Sequence, residues 1–279
     1  MANKRLFAIL QQGATVWNAW REENSHLTYI DMSEAKFFDV NLSTARLSGV
    51  NLYKAFLGEA NLKMAILSMA NLSCANLSAA DLSTANLIGA NLSESNLSRA
   101  NLLRANMGST ILSGANLVGA NLSEANLNEA YLSMADISSA NLCETTLIKA
   151  FLSNSNLEGA NLTKANLTNA DLVKVNFSNA NLTESKLVKA NLSGGNLVGA
   201  DLSGADLSGA DLSGTNLTKA NFNNANLSNA NLSNADLSFA SLARTNLTEA
   251  NLTSALFLTA YTSGANLSGT IMPDGKIHN

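Results

Sequence analysis

The sequence predicts an all-β solenoid, and three observations predict it. From Ile30 to Gly269 the chain repeats every five residues without a slip. Leu fills the third slot in 40 of the 48 quintets, and a small residue, mostly Ala, fills the first. Pro is absent from the whole array; the single proline, Pro273, lies beyond it.

The quintet reads Ala-(Asn/Asp)-Leu-(Ser/Thr)-X, as in Ala80-Asp81-Leu82-Ser83-Thr84 and Ala160-Asn161-Leu162-Thr163-Lys164. An α-helix advances 100° per residue, so a five-residue period would spiral Ala and Leu around its surface and leave no apolar face. A long strand needs a period of two, and five is odd. A short extended segment followed by a turn satisfies both constraints. The Ala and Leu slots are two apart and point to one side. The residues from one Leu to the next Ala must turn the chain, so that the next Ala again points inward. Each quintet then makes one side and one corner of a coil, and the coils stack.

Asn, Asp, Ser, Thr and Gly crowd the remaining slots, and their side chains bond nearby backbone groups in turns. Gly recurs in the fifth slot, at Gly89, Gly119, Gly159, Gly199 and Gly209, where a corner calls for positive φ. The absence of Pro agrees with stacking by backbone hydrogen bonds, since Pro has no N–H to give.

The tandem A-(D/N)-L-X-X quintets resemble the pentapeptide-repeat proteins over residues 30–269. That resemblance implies a right-handed quadrilateral β-helix with four quintets per coil, hence about 12 coils. A lag of twenty is also hinted at within the chain: the second slot, nearly always Asn or Asp, is apolar at Ile111, Tyr131 and Phe151. The flanks, with Leu6–Leu10, Trp17-Asn18-Ala19-Trp20-Arg21 and Met272-Pro273-Asp274-Gly275, are similar to the ends of cyanobacterial members.

Three segments follow: an N-terminal helical cap at 1–29, the β-helix at 30–269 and a C-terminal tail at 270–279. Residues 4–24 read as helical, with Leu6, Leu10, Gly13, Trp17 and Trp20 on one face and Gly13 able to break the helix in two. The first coil would otherwise expose an apolar cross-section and unpaired strand edges. At the far end Leu256, Leu258 and Tyr261 occupy outward slots and Phe257 an inward one. The tail covers that edge, or a second subunit does, so the expected state is a monomer or a weak end-to-end dimer through the C-terminal coil.

Net charge is −4 and aromatics are few, which argues against direct nucleic-acid binding. No run of apolar residues is long enough to span a membrane. Lys4 and Arg5 precede an apolar run in the manner of a signal peptide, but Gln11-Gln12 end it early. Cys74 and Cys143 are too distant in the repeat to form a disulfide, which fits a cytoplasmic protein.

No chemistry-bearing constellation emerges. His26 and His278 stand in opposite flanks, and no His/Cys/Asp cluster has metal-ligand spacing. Serines abound without a convergent base. Asp201, Asp206 and Asp211 fall on successive corners and read as turn-forming residues rather than an acid/base pair. The expectation is a non-enzymatic protein that needs no cofactor or metal and acts as a structural or protein-interaction scaffold. Its candidate partner patch is Ile111, Tyr131 and Phe151 with Met134, Ile148 and Val173 in neighbouring outward slots. Substitution on a tolerant surface is the other reading of those residues. Family resemblance adds two narrower alternatives: a DNA mimic that modulates type II topoisomerase, and a regulator of differentiation or stress signalling through a protein partner. The acids needed for DNA mimicry are sparse: residues 191–279 hold six acids and three bases, and 141–190 hold five Lys against four acids. The serine column at 33, 73, 93, 113, 133 and 153 raises an ice-binding face, but Tyr53 and Val173 interrupt it.

Overall fold

A computed structural model describes residues 4–37 and 40–278. The chain divides into two units, Met1–Asn141 and Leu142–Asn279, and each is built by one rule. Parallel backbone bridges join residues twenty apart, so four quintets complete a turn. In the first unit Asn41 pairs with Asn61, Asn61 with Asp81 and Asp81 with Asn101; in the second Asn161 pairs with Asn181 and Asn181 with Asp201. The third-slot N–H donates forward to the second-slot carbonyl of the next turn, as from Leu62 to Asp81 at 2.7 Å. The second-slot N–H donates back to a first-slot carbonyl, as from Asp81 to Ala60 at 3.0 Å.

Corners are made by the fourth and fifth slots. The N–H of Ala45 donates to the carbonyl of Leu42 at 3.0 Å, closing a four-residue turn over Ser43 and Thr44. Thr44 has φ of 63°, in the left-handed region, and fifth-slot residues share it from 44 to 254. Such a φ favours Gly, yet Glu, Lys, Asn and Met also adopt it here. What holds them is the turn bond together with a second one: the fifth-slot N–H donates to the carbonyl of the next turn, as from Thr44 to Lys63 at 2.9 Å.

First- and third-slot side chains form the core. Leu52, Leu62, Leu162 and Leu202 are wholly buried, as are Ala60 and Ala160. Each such Leu stabilises the fold by ~1.5–3 kcal/mol. Polar first-slot residues are buried without cost in unmet bonds. The Ser95 hydroxyl donates to the Leu92 carbonyl at 2.7 Å, and that of Thr110 to the Leu87 carbonyl at 2.9 Å.

Two helices precede the first turn, α1 at Lys4–Leu10 and α2 at Ala14–Glu23, separated by Gly13 at φ 97°. Leu10 and Trp17 are fully buried, and the ring of Phe7 lies 4.9 Å from that of Phe37. At the other end, the chain reverses through Pro273-Asp274-Gly275, and Ile277 pairs antiparallel with Ile271. Phe257, expected inside, is only half-buried, and the neighbouring Leu258 is 99 % exposed. The quintet at 255–259 departs from the rule: its fifth residue, Thr259, is absent from the left-handed set, which resumes at Gly264 and Gly269.

Candidate interaction surface

The second slot explains its own preference for Asn and Asp. Its side-chain oxygen accepts the N–H two residues on, as Asn41 Oδ1 does from Ser43 at 3.1 Å and Asp81 Oδ1 from Ser83 at 2.9 Å. The same oxygen accepts from the next turn: Asn71 Nδ2 donates to Asn51 Oδ1 at 2.9 Å, and Asn51 Nδ2 donates to Asp31 Oδ1 at 3.0 Å. Asp lacks a donor, so it can only end such a ladder. Asp201, Asp206 and Asp211 do so beneath Asn221, Asn226 and Asn231, at 2.9, 3.0 and 3.0 Å. These three carboxylates therefore sit mid-side at the bridges rather than on corners, as the sequence reading had placed them. Hydrogen bonds to the Ser33 N–H and the Ser238 side chain hold the carboxyls of Asp31 and Asp236 below the usual range.

Replacing Asn at the second slot by an apolar residue forfeits that turn bond, worth about 0.5–1.5 kcal/mol net. Ile111 and Tyr131 both do this. They are direct bridge partners and are 39 % and 46 % exposed. Met134, at the next corner of the same unit, is exposed as well. In the second unit, Phe151 is exposed and bridges to Asp171, while Ile148 and Val173 are half-buried. Geometry thus joins Ile111 to Tyr131; it gives Ile148 and Val173 less accessible surface than expected.

Sequence reasoning missed a second group. Phe56 and Ile66 also break the Asn/Asp rule, and Met64, Met69 and Ile88 occupy outward slots, all of them exposed. The signal was the same one, apolar residues in second, fourth and fifth slots.

Fifth-slot charges pair along the turns. Arg104 grips Glu124 through Nε and Nη2 at 2.8 and 3.0 Å, and this raises the Arg104 pKa and lowers that of Glu124. Lys164 lies 3.7 Å from Glu184. Among the described residues no group of His, Cys, Asp and Glu could hold a metal ion, and no helix is long and apolar enough to cross a membrane. Cys74 and Cys143 are free thiols; burial, with the Glu94 carboxylate 3.6 Å away, pushes the Cys74 thiol up.

A family model for pentapeptide repeats matches in eight copies spanning residues 23–272. The chain belongs to the pentapeptide-repeat family. Among solved pentapeptide-repeat structures it is similar to HetL from the cyanobacterium Nostoc sp. strain PCC 7120, described as involved in heterocyst differentiation regulation. Identity is 38 % over 79 % of this chain and 92 % of HetL, with a TM-score of 0.33. It is also similar to Rfr23 from the cyanobacterium Cyanothece 51142, at 38 % identity over 36 % of this chain and 59 % of that one, TM-score 0.22. A third likeness is to QnrB1, a plasmid-mediated fluoroquinolone resistance protein, at 18 % identity over 85 % and 88 %, TM-score 0.43. These pentapeptide repeats are of the cyanobacterial type. No curated protein matches the chain.

Proposed function

We propose that this pentapeptide-repeat protein is a non-enzymatic scaffold that binds a protein partner through outer faces of its coils. The observation that carries the reading is the Ile111–Tyr131 pair: two adjacent apolar side chains, both exposed, each in place of an Asn that would have secured its turn. A solvated surface gains nothing from that exchange, whereas a partner's apolar surface does. Met134 in the first unit, and Phe151, Ile148 and Val173 in the second, extend the proposal. The framework of the reading is a right-handed, four-sided β-helix of about twelve coils over 30–269, capped by residues 1–29 and followed by the tail 270–279. The twenty-residue pairing interval and the burial of Trp17 support it. The protein is cytoplasmic in this reading, with no cofactor, metal or nucleic acid.

Affinity capture from native lysate tests it, comparing wild type with Tyr131→Asp. A specific protein retained by wild type and lost by the variant, with circular dichroism unchanged, is the expected result. Equal retention by both removes the patch.

Regulation of differentiation or stress signalling is a narrower form of the same reading, and the identity of the captured protein decides it. DNA mimicry toward type II topoisomerase is the alternative. The pairing of Glu124 and Glu184 with basic residues weakens it, and a supercoiling assay separates it from the scaffold reading. Self-association is the remaining possibility, a weak end-to-end dimer against a monomer, and it rests on the exposed Leu256, Leu258 and Tyr261.

A further inference from the structure

One side of the first unit departs from the polar rule more sharply than the Tyr131 column. Ile66, Met69 and Ile88 are 38 %, 73 % and 42 % exposed. They are neighbours: Ile66 and Met69 share a quintet, and the Met69 N–H donates to the Ile88 carbonyl at 2.9 Å. The Met69 thioether lies over Gly89, where a Cβ would come 2.6 Å from its sulfur, so a side chain at 89 would displace it. On its other flank, a Cβ at Gly49 would meet nothing within 4 Å. Met69 is thus a raised apolar knob beside open space at Gly49.

Charge on this side is confined to one end. In the outward slots of the four stacked quintets 45–49, 65–69, 85–89 and 105–109, Arg46 is the sole charged residue. It is the bridge partner of Ile66 and lies 4.0 Å from Glu22. With Arg21 and Ser48 it lines a recess beneath the end of α2 whose wall includes Ile66.

The backbone here offers no strand edge. Ile66 donates back to Ala45 at 2.9 Å and Leu67 forward to Asn86 at 2.7 Å, so both flanks are committed. An incoming segment must therefore be recognised by side chains alone. Knobs at Ile66, Met69 and Ile88, separated by Gly and Ser, suit the apolar ridge of an α-helix, and a methionine thioether adapts to the ridge it meets. Arg21 and Arg46 against the single Glu22 leave the recess net positive, which selects acidic residues on the helix. We infer that this side binds an amphipathic helix of a partner protein, its apolar stripe over Ile66, Met69 and Ile88 and its acidic flank against Arg46. The inference is independent of the Tyr131 surface.

Two fluorescein-labelled synthetic helical peptides test it on the full chain by anisotropy. Both carry Leu at i, i+3, i+4 and i+7; one is flanked by Glu and the other by Lys. The Glu-flanked peptide binds wild type more tightly. Met69→Glu and Ile66→Asp each weaken it by about tenfold or more, and Arg46→Glu reverses the preference between peptides. Tyr131→Asp and Leu258→Glu leave binding unchanged. Circular dichroism checks that every variant folds, since the altered side chains face outward. The inference is overturned by no binding, by equal binding of the two peptides, or by an unchanged affinity in Met69→Glu.

Discussion

The two ends of the repeat array are finished differently. At the N-terminal end, side chains of α2 take over the work of a missing strand. The Asn18 oxygen accepts the Arg46 N–H at 2.7 Å, its amide donates to the Thr44 carbonyl at 3.0 Å, and Trp17 Nε1 donates to the Arg46 carbonyl at 2.8 Å. Leu10 and Trp17 are fully buried at the same end. At the C-terminal end, backbone does the work, and on one side only. His278 donates to Thr270 and Met272 to Lys276, both at 2.8 Å. On the other three sides the N–H groups of Phe257, Thr262 and Leu267 have no partner among the described residues, and those side chains are half-exposed. A helix bearing Trp and Asn can meet an apolar cross-section and a strand edge together; a short hairpin arm meets the edge beneath which it lies.

The contrast breaks most readily at Trp17. Trp17→Ala empties a fully buried site and removes a bond to Arg46, so thermal unfolding should show a loss of about 3–5 kcal/mol. Milder changes rank the devices themselves. Asn18→Ala forfeits two bonds and should cost about 1–3 kcal/mol, with faster amide exchange at Arg46. Deleting 276–279 should free the amides of Gly269 and Met272 to exchange while leaving the melting of the array nearly unchanged. A comparable loss from that deletion and from Trp17→Ala would erase the difference between the ends.

Acid should loosen both ends. Asp31 accepts the backbone N–H of Ser33, and Asp274 that of Lys276, and each bond holds its carboxyl below the usual range. A carboxyl so depressed stabilises the fold fully above its unfolded pKa of about 3.9, and that contribution is lost as pH falls through the lower folded value. Amide exchange at Ser33 and Lys276, corrected for intrinsic rates, should therefore accelerate below about pH 4. Exchange that stays flat down to pH 2 would show the carboxylates idle. Smallest of all is Leu258→Glu. With its side chain 99 % exposed, stability should change by less than about 0.5 kcal/mol.

Much of this was legible in the residues. The period of five, with Ala and Leu two apart, demanded the inward pair and the corner that the structure shows, because no helix or long strand tolerates that spacing. Gly at the fifth slot announced the left-handed corner. The closing of α2 on Arg46 was not legible: it depends on where a helix lands, and Asn18 looks like any surface asparagine. Nor was the half-exposure of Phe257, since its slot says core while the turn that would bury it lies beyond the last coil. The surface was harder still. Ile111 and Tyr131 stood out against a polar column, but Met69 gains its prominence from Gly89 twenty residues on, a contact no local pattern displays.

The bonds of the third-slot N–H also govern how this asparagine-rich chain ages. Asparagine deamidates when the backbone nitrogen that follows it attacks the side-chain carbonyl carbon. For an asparagine of the second slot that nitrogen belongs to the third-slot residue, and in the array it is held to the next turn, as Leu227 is to Asn246 and Leu252 to Ile271, both at 2.7 Å. The reaction is thus blocked by the same bond that stacks the coils. Asn266 is the exposed exception, followed by Leu267, whose N–H has no partner among the described residues. Chemical ageing of the folded array should start there, and a deamidated Asn266 would mark old molecules long before its buried-backbone counterparts change.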